Sequence, residues 1–282
     1  MRRATACEVP TRSDRGPSMK NQESWRPSKY VFERGLLKGS RDKNEVGIPS
    51  RLITDLVAAM YGARLPLYAR GRLLDLGCGK VPLFVAYQKL VAETVCVDWG
   101  NSMHQNKFLD LEWDLTVKLP YDDASFDTII LSDVLEHIPT PELLCHEMTR
   151  LLRPGGHVLL NVPFYYWLHE TPHDFYRYTE FALRRFMNLA GLELIELRSV
   201  GGAPEVVADI IAKCLFRVPR LGAWLAALMQ ATAAAVLRLQ VGKRVSEATR
   251  DGFPFGYFLV ARRPIAVAVD SLERSRQETN RD

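Results

Sequence analysis

Short apolar runs alternate with amphipathic stretches through the middle of the chain. Runs rich in Leu, Ile and Val, bounded by glycine or polar residues, have the length and composition of buried β-strands. The predicted strands are RLLDLG (72–77), TVCVD (94–98), FDTIILS (126–132), HVLLNV (157–162), LELIELRS (192–199) and a late GYFLVARR (256–263). A helix is predicted over 141–156, where Pro141 suits the first turn and Pro154-Gly155-Gly156 ends it. This alternation predicts a parallel α/β sheet over about 50–200, closed by the strand near 256–263.

Composition and charge place the chain among ordinary globular proteins. It has 282 residues, 47% apolar and 25% charged, which is enough for one large domain. Its net charge of +4 is too small to favour nucleic acid as a partner. The five cysteines are scattered and form neither a disulfide framework nor a C-x-x-C metal clip, which favours a reducing cytoplasm.

The two ends of the chain differ from its middle. Residues 1–24 are rich in Arg, Ser and Pro and lack the apolar stretch of a secretory signal, so they are predicted to form a disordered basic arm. Met19 is an alternative translation start. Residues 266–282 are predicted to be a disordered tail, which leaves 25–265 as the folded domain.

The sequence LLDLGCGKVP (73–82) predicts a strand, a glycine turn and the start of a helix. Glycines let a ligand approach the backbone, and the free N–H groups of a new helix attract polar ligand groups. Asp98 lies 21 residues after Gly77, at the tip of the next predicted strand, where nucleotide-binding sheets carry the acid that accepts ribose hydroxyls. The alternatives to ligand binding are that the glycines only reverse the chain direction and that Asp98 is a helix cap or turn residue. Pro82 stands where nicotinamide enzymes need a third glycine, so a dinucleotide is disfavoured.

The D-x-G-x-G pattern of Asp75, Gly77 and Gly79, followed by the acid at 98, resembles the first motif of class I S-adenosylmethionine-dependent methyltransferases. The segment WDLTVKLPYDDASFDTIILSDVLEHIPTPELLCHEMTRLLRPGGHVLLNVP (113–163) is similar, in order, to the middle of that family and to its type 11-like members. The resemblance implies an α/β, Rossmann-like seven-stranded sheet in the order 3-2-1-4-5-7-6, with the last strand antiparallel and helices on both faces. It also implies a methyltransferase activity with S-adenosyl-L-methionine as cofactor.

The same resemblance implies a set of cofactor contacts. The residues expected to bind S-adenosylmethionine are Asp75, Gly77, Cys78, Gly79, Asp98, Trp99, Asp114, Leu115 and Ser132. The glycine backbone brackets the methionine part, Asp75 meets its ammonium, and Asp98 holds the ribose. Trp99 is expected to lie on adenine, since an aromatic face suits a flat base; an ordinary core tryptophan is the alternative. Asp114 and the backbone after it are expected at the adenine edge, with Asp110 as a rival.

The stretch HETPH (169–173) matches the H-E-x-x-H pattern of zinc metalloproteases. The two histidines of that pattern must lie on one helical face, but Pro172 removes a helix hydrogen bond and pushes the residue before it toward extended geometry. A zinc site is therefore disfavoured, and no metal is expected. The stretch instead follows the fifth strand, and ligands of open α/β sheets bind beyond the carboxyl ends of the strands.

The loop after that strand is expected to hold the methyl acceptor. The expected acceptor contacts are Tyr165, Tyr166, Asp174, Tyr176 and Arg177, and the candidates for a general base are His173, His169, His137 and Asp133. The pattern P-F-x-x-x-x-H-E-x-P-x-D-F-x-R-Y-T resembles bacterial methyltransferases of surface-polysaccharide or glycolipid assembly. The expected acceptor is therefore a hydroxyl of a small or lipid-linked saccharide. The alternatives are a quinone or small-lipid methyltransferase and a non-catalytic cofactor-binding protein.

An apolar helical insertion is predicted at 205–245. Polar side chains that recur every four positions define one face of its first helix; they are Glu205, Asp209, Lys213 and Arg217. Segment 221–240 is apolar almost all round but falls short of the ~20 strongly apolar residues of a membrane span. The prediction is a buried helix pair that caps the site or forms a homodimer. The alternative is peripheral contact with the inner face of the membrane through 205–240.

Overall fold

The computed structural model describes residues 19–100 and 106–265. The tail predicted at 266–282 and residues 1–18 of the predicted arm lie outside the described residues. The arm predicted through residue 24 is too long, because Met19 is buried in the core and Gln22–Ser24 form a short 3-10 helix.

Two elements that the hydrophobic pattern does not predict precede the central sheet. Strands β1 (Tyr30–Glu33) and β2 (Leu36–Gly39) form an antiparallel hairpin, and helix α1 (Arg51–Tyr68) follows it. The Tyr30 side chain is fully buried and packs in the same core cluster as Tyr61 of α1. The hairpin is a separate two-stranded sheet and covers the central one rather than extending it.

A seven-stranded sheet forms the centre of the molecule. Its strands are β3 (Arg72–Leu76), β4 (Glu93–Asp98), β5 (Leu111–Glu112), β6 (Phe126–Ser132), β7 (Leu152–Pro163), β8 (Glu193–Val200) and β9 (Gly256–Arg262). They lie in the order β5-β4-β3-β6-β7-β9-β8, and β9 runs antiparallel to both of its neighbours. This confirms the predicted order 3-2-1-4-5-7-6 and the antiparallel last strand.

Helices cover both faces of this sheet. Besides α1, they include α2 (Phe84–Tyr87), α3 (Pro141–Leu151) and α4 (Glu180–Leu189). Along β3 the side chains alternate: Leu74 and Leu76 face the core beneath α3 and α4, whereas Leu73 faces the core beneath α1 and α2. Because both faces of the inner strands are buried, these strands have the near-continuous apolar runs from which they were predicted.

The helix predicted over 141–156 is shorter, and the strand after it is longer. Helix α3 ends at Leu151, and the Pro-Gly-Gly sequence at 154–156 belongs to β7. The Gly155 N–H donates to the carbonyl of Arg263 (2.8 Å), and the Arg263 N–H donates to the carbonyl of Gly156 (3.0 Å). These bonds to the residue after β9 extend the strand pairing into a stretch whose composition suggests a loop.

Three helices form the predicted insertion before β9: α5 (Ala203–Phe216), α6 (Gly222–Val236) and α7 (Gln240–Thr249). Gln230 of α6 ties the insertion to the start of α1. Its amide donates to the Pro49 carbonyl (2.6 Å) and accepts from the Leu52 N–H (2.8 Å). Within the described ranges no single helix has the length and composition of a membrane span. Helices α6 and α7 reach that length and composition only when taken together, and the chain bends by 95° between them.

Helix α5, the first of the insertion, buries part of its polar face and exposes part of its apolar face. Asp209 and Lys213, which belong to the predicted polar face, are buried and form an ion pair at 2.5 Å, whereas Ile210 of the apolar face is 51% exposed. The ammonium of Lys213 lies 3.6 Å from the centre of the Tyr166 ring. The pair is tolerated inside because its two charges neutralise each other and the aromatic face adds a favourable contact to the cation.

Candidate active site

A tight turn follows β3 at the carboxyl edge of the sheet. Gly77 and Gly79 have left-handed backbone geometry, with φ of 63° and 51°. A side chain at position 77 would place its Cβ 2.4 Å from Cγ2 of Val134, so a glycine is required there. The Gly77 N–H donates to the carbonyl of Val97 (2.8 Å), which holds the turn against the tip of β4.

The Asp98 carboxylate, at the end of β4, faces this turn. One oxygen accepts from the N–H of Gly79 (2.7 Å), and the other accepts from the N–H of Trp99 (2.7 Å). Asp98 therefore places a negative charge beside the glycine backbone that a ligand approaches. This is where the sequence predicts the ribose acceptor, and that role remains a prediction.

Asp75 lies two residues before the turn and is buried. The hydroxyl of Tyr87 donates to its carboxylate (2.9 Å). Burial raises the pKa of Asp75 to about 7; the Tyr87 hydrogen bond opposes this rise, and the nearby Asp98 charge adds to it. A ligand ammonium beside Asp75 would favour the ionised carboxylate, which fits the predicted contact.

A cavity of about 660 Å³ opens beside the end of β4. Trp99, Phe108, Glu112 and Asn106 are among the residues that line it. Trp99 is 41% exposed, so it is not an ordinary core tryptophan. An aromatic ring in the wall of a cavity suits a flat base, which makes this the expected place of adenine. The Asn106 amide donates to the carbonyl of Gly79, and no motif in the sequence marks this residue.

The two acids considered for the adenine edge differ in their partners. Asp110 accepts the N–H of Cys96 (2.8 Å) and so supports the edge of β4. Asp114 is exposed and accepts the N–H of Thr116 (2.8 Å). The side chain of Leu115, the next residue, is buried in the core. Neither acid is among the residues that line the cavity, so the adenine-edge contact of Asp114, with Asp110 as its rival, stays a prediction.

Two other residues predicted to bind cofactor have side chains directed into the protein. Cys78 is 4% exposed. The Ser132 hydroxyl donates to Oδ1 of Asn161 (2.8 Å), which also accepts the Tyr61 hydroxyl (2.8 Å). The Ser132 side chain thus belongs to an internal network, and both residues would meet a ligand through their backbone.

Asp133 follows β6 with left-handed backbone geometry (φ 53°). Its Oδ2 lies 3.0 Å from Nζ of Lys29, and its Oδ1 accepts from the Asn161 amide (2.5 Å). Burial lowers the pKa of Lys29, but the Asp133 charge outweighs this effect and raises it above the usual range. A carboxylate held by an ammonium and an amide is a poor base, so the geometry does not support the predicted catalytic role of Asp133. Sequence reasoning missed Lys29, which belongs to no motif.

The loop 164–179 after β7 contains no helix. His169 and His173 therefore do not share a helical face, as Pro172 predicts. The His173 ring lies edge-on to Trp99, with 5.2 Å between ring centres. The ring is exposed, and neither of its nitrogens has a hydrogen-bond partner among the described residues.

His169 belongs to a different group of side chains. Nε2 of His169 and Nε2 of His137 each lie 3.8 Å from Oε1 of Glu136. Burial raises the pKa of the Glu136 carboxyl well above its usual range and lowers the pKa of His169. Sequence reasoning missed Glu136, although it stands beside His137 in the LEH sequence after β6.

Asp174 and Arg177, predicted to contact the acceptor, bind each other. The guanidinium donates to both carboxylate oxygens (2.6 and 2.7 Å) and to the Trp167 carbonyl (3.0 Å). Burial raises the pKa of Asp174, but the hydrogen bonds from Arg177 and from the His169 N–H outweigh it and bring it to about 2. The Asp174 side chain is 2% exposed and that of Arg177 20%, so the pair shapes the loop, and a contact of either residue with the acceptor stays a prediction.

The three tyrosines predicted at the acceptor site differ in their exposure to solvent. Tyr166 is packed beneath the Lys213 ammonium. Tyr165 and Tyr176 are each 39% exposed, and the Tyr176 hydroxyl donates to the Pro139 carbonyl (2.9 Å). The exposed rings of Tyr165 and Tyr176 remain available to a bound molecule.

A family model described as a methyltransferase domain matches residues 50–197. The chain is 32% identical to the 27-O-demethylrifamycin SV methyltransferase of Amycolatopsis mediterranei over 120 residues, which cover 38% of this chain and 43% of that protein. It is 30% identical to a ubiquinone biosynthesis O-methyltransferase of Alkalilimnicola ehrlichii over 101 residues, covering 32% of this chain and 40% of that protein. Each alignment spans less than half the length of the relative.

Solved structures share the fold. The complex of the Haloferax volcanii Trm112 methyltransferase activator with a methyltransferase aligns with a TM-score of 0.51 and 22% identity, over 75% of this chain and 90% of that one. The [4+2]-cyclase SpnF aligns with a TM-score of 0.50 and 17% identity, over 85% of this chain and 87% of that one. Since one of these proteins is a cyclase, the fold alone does not decide the chemistry.

Proposed function

We propose, from the premise that this chain belongs to the methyltransferase-domain family and uses S-adenosylmethionine, that it methylates a hydroxyl oxygen of a small molecule. The observation that carries this proposal is one continuous edge of the sheet. The Asp98 carboxylate faces the glycine turn, Trp99 lines the adjacent cavity, and the His173 ring lies against Trp99. S-adenosylmethionine held at the turn would therefore have the exposed imidazole of His173 on the side where we place the acceptor.

Methyl transfer to oxygen requires alignment more than activation of the donor. The sulfonium makes the methyl group electrophilic; the acceptor oxygen forms the new O–C bond, the C–S bond breaks with its electron pair on sulfur, and the hydroxyl proton leaves. Holding the two reactants in line is worth up to ~7–11 kcal/mol. A base beside the hydroxyl contributes a further ~10²–10⁴-fold in rate.

His173 is the base that the geometry favours among the four predicted candidates. Its ring is exposed and without a hydrogen-bond partner in the described part of the chain. Asp133 is held by Lys29, and the rings of His137 and His169 converge on a buried carboxylate. His173 is thus free to accept a proton from a bound hydroxyl.

A phenolic or quinol hydroxyl is the first candidate acceptor. By their names, the two relatives described above are an O-methyltransferase of ubiquinone biosynthesis and a methyltransferase of an O-demethylated rifamycin. Methylation of oxygen is the property they have in common, which supports a hydroxyl acceptor here.

A saccharide hydroxyl is the second candidate, as the loop sequence predicts. The exposed rings of Tyr165, Tyr176 and Trp167 suit the apolar faces of a sugar. Exposed apolar side chains on the insertion, such as Ile210 and Trp224, suit a lipid attached to such an acceptor.

Transfer of labelled methyl separates these candidates. The purified full chain is incubated with methyl-labelled S-adenosylmethionine and either a short-chain catechol precursor of a quinone or a cell-envelope saccharide fraction. Label in an O-methyl group of the catechol supports the first candidate, and label in the saccharide supports the second. A protein that binds S-adenosylhomocysteine but labels no oxygen in either pool contradicts the proposed O-methylation.

A further inference from the structure

A buried carboxylate that has no hydrogen-bond partner among the described residues lies beside the loop after β7. Glu136 is 0% exposed, and neither carboxylate oxygen accepts a hydrogen bond from another described residue. Nε2 of His137 is also buried and has no hydrogen-bond partner in the described ranges. An ionised group left unpaired in this way costs on the order of several kcal/mol, so Glu136 is either neutral or faces a cation.

Both neighbouring histidines turn Nε2 toward this carboxylate. Nδ1 of His137 lies 2.9 Å from the His173 carbonyl, which can only accept; Nδ1 therefore carries the proton, and Nε2 of the neutral ring does not. Nδ1 of His169 lies 3.3 Å from the Asp174 carboxylate, which would accept a proton from it, and 3.4 Å from the Arg177 guanidinium, which can only donate to it; these two contacts favour opposite tautomers. A carbonyl or carboxylate behind the outer ring nitrogen is the usual arrangement of histidines that bind metals.

The distances suit a shared ion. One ligand atom from each of Glu136, His137 and His169 lies within 4.8 Å of the other two. Ligand atoms ~2.0–2.1 Å from one tetrahedral Zn²⁺ stand about 3.4 Å apart, so small side-chain movements close the site. The loop that carries His169 is already fixed beside the other two residues, because the Glu136 carbonyl accepts from the N–H groups of Phe175 (2.9 Å) and Tyr176 (3.2 Å).

We propose that Glu136, His137 and His169 bind a divalent transition-metal ion, and that Zn²⁺ matches their two imidazoles and one carboxylate. This set differs from the zinc-protease pattern, since His173 contributes only a carbonyl that orients His137. It also contradicts the sequence-based expectation that the protein has no metal site. Three protein ligands leave a coordination position open, as in catalytic zinc sites. Glu170 is half-exposed on that side, with Oε2 3.9 Å from Nε2 of His137.

The role of the ion rests on the proposed function: the acceptor hydroxyl takes the open position. Val134, two residues before Glu136, packs against Gly77, so the segment that carries Glu136 and His137 adjoins the glycine turn. Coordination makes the hydroxyl more acidic, as it does for zinc-bound water. The hydroxyl proton passes to the His173 imidazole, the oxygen bonds to the methyl carbon, and the C–S bond breaks with its electron pair on sulfur.

Zinc titration tests the site without any acceptor. The full chain is stripped with EDTA and titrated with Zn²⁺ in competition with a chromophoric chelator. We expect one Zn²⁺ per chain and at least 100-fold weaker binding in His169→Ala and Glu136→Gln. His146→Ala removes an exposed histidine of α3, and Cys214→Ser removes an exposed thiol; both are expected to bind as the parent does. Co²⁺ in place of Zn²⁺ should give a visible spectrum that His169→Ala abolishes.

Equal Zn²⁺ affinity in the parent and His169→Ala overturns the site, as does the absence of binding by the parent. His169 lies in an irregular loop, so its variant tests the site even if Glu136→Gln fails to fold. Methylation at full rate by metal-free protein overturns the role of the ion. Failure to methylate any oxygen, with Zn²⁺ bound at these residues, overturns the proposed function instead and leaves the metal site standing.

Discussion

The backbone N–H of Gly79 donates a hydrogen bond to the Asp98 carboxylate across 2.7 Å. This contact joins the glycine turn after β3 to the acid at the tip of β4, two features that lie 19 residues apart. Because the second oxygen is held by the Trp99 N–H, the carboxylate is oriented before any ligand arrives. Orientation in advance reduces the cost of ordering the site on binding.

Asp98→Asn should weaken binding of S-adenosylhomocysteine by about 10- to 100-fold, because a charged acceptor of ribose hydroxyls contributes ~1.5–3 kcal/mol. The loss of affinity is larger than for a neutral hydrogen bond, because the NH2 group of asparagine would face a backbone N–H that now donates to the carboxylate, as the N–H of Gly79 does. Isothermal titration of the purified protein measures the change.

Asp122→Asn is the matched control, because Asp122 is an exposed carboxylate outside the cavity. It should leave the affinity unchanged. If both variants bind S-adenosylhomocysteine as tightly as the parent, Asp98 does not hold the ribose.

Gly77→Ala should disrupt the turn and destabilise the protein by more than the ~1–2 kcal/mol of a left-handed alanine. The added Cβ would lie 2.4 Å from Val134, so the turn must shift or Val134 must move. Gly35→Ala separates the two causes. Gly35 also has positive φ (79°) but nothing within 4 Å of its missing Cβ, so it reports the backbone cost alone. Urea unfolding should give a clearly larger loss for Gly77→Ala; equal losses would show that the Val134 contact is unimportant.

The hydrophobic pattern predicted most of the sheet because its inner strands are buried on both faces. It could not predict β5, since two residues (Leu111–Glu112) show no periodicity. It also missed the β1–β2 hairpin, in which Tyr30 and Leu37 are the buried apolar side chains of two four-residue strands. Short elements whose burial depends on distant parts of the chain carry too few residues for a local signal.

The glycine turn and Asp98 could be predicted because their spacing follows from the geometry of a strand–turn–helix unit. The positions of Glu136 and Lys29 in the site could not be predicted, because each faces a residue from a distant segment, His169 and Asp133 respectively. The same holds for α5: a regular polar stripe predicts a solvent face, yet Asp209 and Lys213 neutralise each other inside. Whether a charged side chain is buried is decided by the partner it finds in the folded protein, which the local periodicity of the sequence does not show.

Asp75 should make the protein less stable as pH rises from about 4 to about 7. Its carboxyl has a pKa near 3.8 when unfolded and about 7 when folded, so between these values the folded protein binds more protons than the unfolded chain. The free energy of unfolding therefore falls with increasing pH across this window and levels off above it. The shift of about three pH units corresponds to an upper bound of ~4 kcal/mol.

Asp75→Asn removes this titration while its amide oxygen still accepts from Tyr87. The two proteins should be similarly stable near pH 4, and the variant should become the more stable one by pH 8. Urea unfolding of both proteins at several pH values isolates the contribution of Asp75, because all other titrations are shared. A constant difference across the window would show that Asp75 is ionised in the folded protein throughout.

Asp209→Ala should cost ~3–5 kcal/mol, because it leaves the buried Lys213 ammonium unpaired. The double variant Asp209→Leu, Lys213→Met removes both charges and should recover most of that loss. Thermal unfolding of the parent, the single variant and the double variant measures these differences. If the single variant is as stable as the parent, the ion pair is exposed to solvent, and the burial of Asp209 and Lys213 on α5 is incorrect.

His173→Phe and His173→Ala together distinguish proton transfer from packing. The phenyl ring keeps an aromatic contact with Trp99, which lies 5.2 Å from the imidazole, but it cannot accept a proton. Both variants should lower kcat by at least ~10²-fold if His173 is the base, because a positioned base contributes ~10²–10⁴-fold. Only His173→Ala should also weaken S-adenosylhomocysteine binding, by removing support from Trp99. Single-turnover methyl transfer at saturating cofactor measures the rate, and titration measures the affinity. Unchanged kcat in His173→Phe would remove His173 from proton transfer and leave it a packing role beside the adenine cavity.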